Sequence, residues 1–448
     1  RDSIGRAMDW ADTGSGACAR LHRFTYGGDD QHVLELSVTA LDSSAQARHN
    51  PQLLSRAVAR LFRDEVMCRG LLRLFAVFCL TGSFVSTAAW AETGAQLFTG
   101  TLGKSSIVLE INPRTGEGRY FYKKYRKDLP LDGALDGETL VLEEGSRMDD
   151  SRPTLRLQPT TDGWYGEWTS TTGKSLKIKL QPAVIPDVPD DALPFFTTLH
   201  DKYPYEYLRL QGVTLKKGNI DTFMGYTLQW WSEPQTGTSL FEVVSGYSLE
   251  ERRRINQQLM ARLWSEVLSS YGCSGSYAQS SQPLWMSSTV MSVLISSDYF
   301  CGGAYPDQSQ DALNFDTKTG RLLTLDDVLW VGQGKPLHFQ REGDFGGEAS
   351  GSSDSWSNYR SEELAPWLVA QLLKLYPSEM TVTPEGENDC NYDESYPWQF
   401  PGWHFTELGI KLEPSFPHVA AVCGFVDWSV LPYTIVKQHP GGVALQLP

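Results

Sequence analysis

The chain has 448 residues, 41% hydrophobic and 12% aromatic, which excludes a disordered, collagenous or coiled-coil protein as a whole. Asp plus Glu number 54 against 39 Lys plus Arg, and a formal charge of −15 excludes general binding to a nucleic-acid backbone.

Residues 1–66 hold eight arginines and no lysine, and the first lysine of the chain is Lys104. With Met67 as a natural start, this composition shift reads as upstream mistranslation or a disordered segment. The alternative is a small domain with a strand at VLELSVTAL. Residues 67–91 have the three parts of a secretory signal peptide in order. Arg69 and Arg73 form a positive end, 74–80 is an unbroken apolar run, and Ala89-Trp90-Ala91 supplies the small-residue pattern before Glu92. The run is short for a membrane span. The expected location is the periplasm or the exterior, with membrane contact only during export unless the signal stays uncleaved.

Beyond Ala91 stand 45 acidic and 29 basic residues and four of the seven cysteines: Cys273, Cys301, Cys390 and Cys423. An even number in an exported chain suggests two disulfides. Four cysteines allow three pairings; sequence order and local context favour Cys273–Cys301 and Cys390–Cys423. None forms a CxxC pair, so a thioredoxin-like or zinc-knuckle site has little support.

Residues 95–181 alternate short strands with turns. Strands are expected near 98–102, 107–111, 118–122, 140–143, 154–157, 164–168 and 175–180, with turn residues at Asn112-Pro113, Asp136-Gly137, Asp162-Gly163 and Thr172-Gly173. Short strands, regular turns and no helical period predict a small antiparallel β barrel or sandwich. The basic cluster 123–127 reads as a solvated hairpin end. Four prolines and three aspartates mark 182–194 as a linker.

Residues 195–448 predict an α+β domain with a multistranded sheet and two main flanking helices. Paired strands are expected at 221–233 and 239–245. Ser248 and Glu251 form a capping box before a helix whose apolar face carries Ile255, Leu259, Leu263 and Val267. Arg252 and Arg253 sit in its first turn, where positive charge is poorly placed, and are a candidate binding surface. A strand-rich stretch follows at 285–296, then a turn at 317–320 and a helical turn at 326–330 capped by Thr324. The second good helix spans 361–376, and strands close the chain at 403–406, 410–413 and 419–425.

The second module carries Tyr299, the run Gly302-Gly303-Ala304-Tyr305-Pro306, Asn314-Phe315-Asp316, Thr319-Gly320 and Leu323-Thr324-Leu325-Asp326-Asp327, followed by FTELGIKL and VDWSVLPYTI. In these motifs it resembles the extracytoplasmic C-terminal domain of RsiV-type anti-sigma factors and some peptidoglycan deacetylases, a domain of unknown function. The resemblance spans about 213–436 and is best over 290–329. Tyr305 stands where that family often has His. The resemblance implies a binding module that meets lysozyme in the sensors and accompanies a separate catalytic domain in the deacetylases. The acidic charge suits a cationic protein such as lysozyme; a cell-wall glycan is the other expected partner.

Catalytic chemistry finds little footing. The histidines after Ala91 form no HExxH pair, and G-x-S-x-G is absent. Asp298, Asp307, Asp311 and Asp316 surround the GGAYP run; they suit turns and strand ends, or else a Ca²⁺ site or the paired acids of a glycan hydrolase. The sequence assigns no catalytic, metal or cofactor-binding residue. Structural or binding roles fall to Tyr299, Gly302, Gly303, Tyr305, Asp307, Asp316, Arg252 and Arg253. The leading expectation is a noncatalytic envelope binding module, ahead of a glycan-directed hydrolase and of a structural envelope protein.

Overall fold

The computed structural model describes residues 94–147, 149–302, 305–338, 353–381 and 390–448. The upstream segment 1–66, the stretch 67–91 expected as a signal peptide, and Gly303 lie outside the described residues.

Eight antiparallel strands form a closed barrel in simple up-and-down order: β1 (Gln96–Leu102), β2 (Ser105–Asn112), β3 (Glu117–Tyr122), β4 (Asp128–Asp136), β5 (Thr139–Glu144), β6 (Thr154–Thr160), β7 (Gly163–Thr169) and β8 (Ser175–Pro182). Pairing of β1 with β8, Gly100 opposite Leu180, closes the ring and leaves no edge. Inward residues such as Phe98, Ile107, Leu142, Leu155 and Ile178 fill the interior. The sequence pattern misses β4, because Pro130, Gly133 and three aspartates mask its alternation. Both breakers have a physical use there. Pro130 holds a strand position opposite Arg119, and Gly133 lies so close to the Val141 carbonyl that an added Cβ would sit 2.0 Å from its oxygen.

The proline-rich segment after β8 is irregular, yet Ile185, Val188 and Leu193 pack against the second module's first core. Helices α1 (Pro194–Lys202) and α2 (Pro204–Leu210) follow; each begins on a proline, which fits the first turn because its missing N–H would have no helical partner. Next comes a sheet of β9 (Lys216–Phe223), β10 (Tyr226–Ser232) and β11 (Ser239–Ser245). The stretch expected as one strand from 221 turns back on itself at Met224 and Gly225, both at positive φ. The capping box forms as the sequence predicts and opens α3 (Leu249–Gly272).

The strand-rich stretch expected at 285–296 holds the end of β12 (Ser276–Met286), a short turn and most of β13 (Val290–Phe300), a long hairpin that starts nine residues earlier than expected and is continued by β14 (Asp307–Asp316) and the short β15 (Arg321–Leu322). The root of this sheet separates two cores. Met291, Val293, Ile295 and Phe315 belong to the core that contains α3 and the first sheet. Val290 joins the other core, with the helical turn α4 (Leu325–Val328) and the elements that follow. These are α5 (Ser353–Tyr359), a π-helical turn (Arg360–Leu364), α6 (Ala365–Leu375) and α7 (Pro377–Met380). Pro366 explains why the predicted second helix changes winding here: it has no N–H for the preceding turn.

A sheet of β16 (Gly402–Phe405), β17 (Gly409–Glu413) and β18 (Val430–Pro432), then α8 (Tyr433–Val436), completes the fold. Asn314 stitches β16 to the long sheet: its amide donates to the Trp403 carbonyl at 2.8 Å, while Ser292 Oγ accepts from the Phe405 N–H at 3.0 Å. Residues 419–425, expected as a strand, form 3₁₀ turns (His418–Gly424) whose Val419 and Val422 are exposed.

The disulfides are Cys273–Cys301 and Cys390–Cys423, the favoured pairing. Two cystines in a β-rich α+β chain fit an oxidising, extracytoplasmic setting. Among the described residues no helix is long and apolar enough to cross a membrane.

The basic cluster is not simply a solvated hairpin end. Lys123 and Lys124 are exposed, but Lys127 Nζ donates to the carbonyls of Ser270 (2.8 Å) and Cys273 (3.0 Å), satisfying the C-terminal end of α3. Arg126 donates to the carbonyls of Arg209 and Gln211. In return, Arg209 of α2, with no exposed surface, reaches Asp128 Oδ1 at 2.6 Å and stacks over Phe121 at 4.6 Å. Val108 and Phe121, on the outside of the barrel, pack on Tyr205 and Leu208 of α2.

Candidate functional site

The far tip of the β12–β14 sheet projects beyond both cores. Directly opposite residues in antiparallel strands share a face, and the register puts Tyr277 opposite Tyr299 and Tyr299 opposite Asp307. Three neighbouring strands therefore present one row: ring, ring, carboxylate. The two rings stack at 6.0 Å between centroids, and the Tyr299 hydroxyl lies 3.4 Å from Asp307 Oδ2. Burial, with the charge of Asp307 beside it, pushes the Tyr299 phenol above its ordinary value.

This row is held from below. The Tyr277 hydroxyl donates to Glu266 of α3 at 2.7 Å, and Arg262 Nε binds the same carboxylate at 2.7 Å. Burial and this carboxylate push the Tyr277 phenol up to about 12, although its hydrogen bond with Ser297 acts the other way. Tyr277 thus stays a neutral donor fixed to a rigid helix.

An open cleft of about 460 Å³ runs along the tip, lined by Tyr277, Asp298, Tyr299, Phe300, Asp307 and His418 among others. His418 comes from the 3₁₀ turns, with Nδ1 3.5 Å from Asp307 Oδ1 and its ring 6.2 Å from that of Tyr305. Tyr305 is 73% exposed and Phe300 39%. The Cys273–Cys301 cystine ties this tip to the end of α3. Gly302 beside it has φ +103°, the left-handed region that favours glycine, so the chain bends tightly there. A second opening of about 560 Å³ lies between Gly302 and the barrel, with Glu117, Asp128 and Asp132 on its wall.

Tyr299, Tyr305 and Asp307 therefore meet at one place, with Gly302 shaping the adjoining bend. The other candidates stand elsewhere. Asp316 is buried, accepting from Lys318 N–H at 2.9 Å and Thr319 Oγ1 at 2.7 Å to form the predicted turn. Arg252 donates to the Val244 carbonyl, and Arg253 is exposed on α3. Thr324 and Asp327 make a second capping box, while Asp326 is fully buried and pairs with Arg360 at 2.8 Å. Sequence reasoning missed Tyr277 and His418. Tyr277 had a signal, since a strand paired with Tyr299 would place an aromatic beside it; His418 had none, because only the tertiary fold brings 418 to 307.

The acids near 298–316 do not converge. Asp298 and Asp307 both border the cleft, but Asp298 and Tyr299 are successive strand residues, so the Asp298 side chain leaves the sheet on the face opposite to the one that carries Tyr299 and Asp307. Asp311 is bound to Arg262, and Asp316 holds its turn. What the arrangement offers is an aromatic platform with a carboxylate edge. No known family model matches the chain, and no curated protein is significantly similar to it.

Proposed function

We propose that this is a noncatalytic recognition protein of the periplasm or exterior, exported by the signal peptide at 67–91, that binds a cationic protein of the lysozyme kind through the hairpin tip. The observation that carries the reading is the Tyr277–Tyr299–Asp307 row beside an open cleft, with Phe300 exposed in its wall and Tyr305 exposed beside His418. Aromatic anchors within a charged rim are the common composition of binding hot spots. Acidic net charge favours encounter with a basic partner, and the motif resemblance to RsiV-type domains points the same way. A glycan-directed hydrolase is less well supported, since its two carboxyl groups must face one cleft about 5–10 Å apart.

The test is calorimetric titration of the 92–448 chain with lysozyme and, separately, with soluble peptidoglycan fragments. Saturable lysozyme binding that weakens with added salt is expected, and Tyr299→Ala should lower affinity roughly tenfold, about 1.4 kcal/mol, without moving the melting temperature. Folded protein that binds neither titrant would sink the reading; binding of the fragments alone would replace the protein partner by a glycan.

A further inference from the structure

The two ends of the barrel differ. At one, Tyr120 hydroxyl and Trp168 Nε1 (2.8 Å) both donate to Glu144 Oε2, and this satisfied polar group plugs the interior. At the other, the turns after β2, β4 and β6 surround a cavity of about 570 Å³. That volume lies within the range of small-molecule sites, and barrel mouths are among their usual places.

Leu135 is the informative residue. Alternation along β4 puts it on the inward row with Leu131, and it stands opposite Leu140, which is fully buried inside. Leu131 is 3% exposed, yet Leu135 is 49% exposed, because the space above it is open. A large apolar side chain that faces the barrel axis yet meets solvent is half of a contact. Trp164, also inward, lines the same cavity at 5% exposure, and Pro113 and Pro159 add apolar wall. Gln96 and Thr161 bring hydrogen-bonding groups, while Arg114 and Glu138 balance each other in charge. A rim without net charge, in a protein of −15 overall, disfavours an anionic ligand.

We infer that the barrel mouth binds a small uncharged amphipathic molecule. Its apolar body lies between Leu135 and Trp164, and its hydrogen-bonding group faces Gln96 and Thr161. This site is independent of the hairpin tip and of the partner proposed for it.

The probe is N-phenyl-1-naphthylamine, neutral and fluorescent in apolar surroundings, titrated into the full chain; its anionic counterpart is 8-anilinonaphthalene-1-sulfonate. One saturable site per chain is expected, at least tenfold tighter for the neutral probe. Leu135→Glu and the mouth-filling Leu135→Trp should each weaken it at least tenfold. Tyr165→Ala, on the outer barrel face, should leave it unchanged. A thermal melt of each variant establishes folding, and Leu135 is exposed enough for both changes to be tolerated. Absence of saturable binding would overturn the inference, as would affinity within twofold of the parent in both folded Leu135 variants, or equal affinity for the anionic probe.

Discussion

The barrel and the domain that follows it reach stability by different means. The barrel pairs every strand with its sequence neighbour and closes β1 on β8, so its contacts are local and no edge is left. It contains no cysteine and no histidine. The second domain distributes its strands over sheets of three, four and three, with two cores on either side of one long hairpin. It holds both cystines and every histidine beyond Ala91. The contrast teaches where an exposed functional surface is affordable. A ring satisfies its own backbone groups, whereas a sheet tip that projects beyond its cores must be tied down. Cys273–Cys301 and the Glu266–Tyr277 bond do this at the candidate site.

The largest effect is expected where the two regions join. Arg209→Ala leaves Asp128 and Glu206 without their buried guanidinium and should cost roughly 3–5 kcal/mol in urea unfolding. A cost under 1 kcal/mol would show that the apolar contact of Val108 and Phe121 with Tyr205 and Leu208 and the Arg126 bonds to the carbonyls at the end of α2 join barrel to α2 without it.

The cystine separates the regions next. Cys273→Ser with Cys301→Ser opens a link between residues 28 apart in sequence and should cost about 2–4 kcal/mol. Hydrogen exchange should rise at the ends of β12–β14 and stay unchanged in β1–β8. A uniform rise in the barrel would break the distinction.

The smallest effect is acid sensitivity confined to the second domain. Burial, with Lys411 nearby, lowers the His404 imidazole to about 4 from an ordinary 6.5. Between these values the unfolded chain takes up a proton that the folded side chain refuses, so stability falls as pH drops from about 6.5 and levels off near 4. The shift corresponds to at most roughly 3 kcal/mol. Glu413, with Oε1 3.7 Å from His404 and its own carboxyl raised by burial, opposes part of it. His404→Gln should flatten the acid side of a urea-stability profile between pH 7 and 4.5; an unchanged slope would place the proton uptake elsewhere.

Much of the local structure was legible because it depends on neighbours in sequence. Ser248 and Glu251, and likewise Thr324 and Asp327, are three residues apart, and that spacing alone closes a capping box. The barrel strands read from alternation, except β4, whose Pro130 and Gly133 serve contacts with other strands. The expected strand at 419–425 failed for a related reason: Val419 and Val422 look like core residues by type, but the adjacent cystine and turns hold them outward. Of the site, Tyr299, Tyr305 and Asp307 were legible from one motif, whereas Tyr277 and His418 were not.

The sequence by itself determined the chain's acidity, its α+β class with a small β barrel or sandwich before it, the favoured cystine pairing and the caps of its helices. These follow from composition, period and spacing, which act over a few residues or over the whole chain. Tertiary structure alone decided that Lys127 caps α3 rather than facing solvent, that Tyr277 stacks on Tyr299, and that one barrel end is plugged while the other is open. Each depends on groups from distant segments arriving within a few ångströms, and register and packing fix those distances while residue type does not.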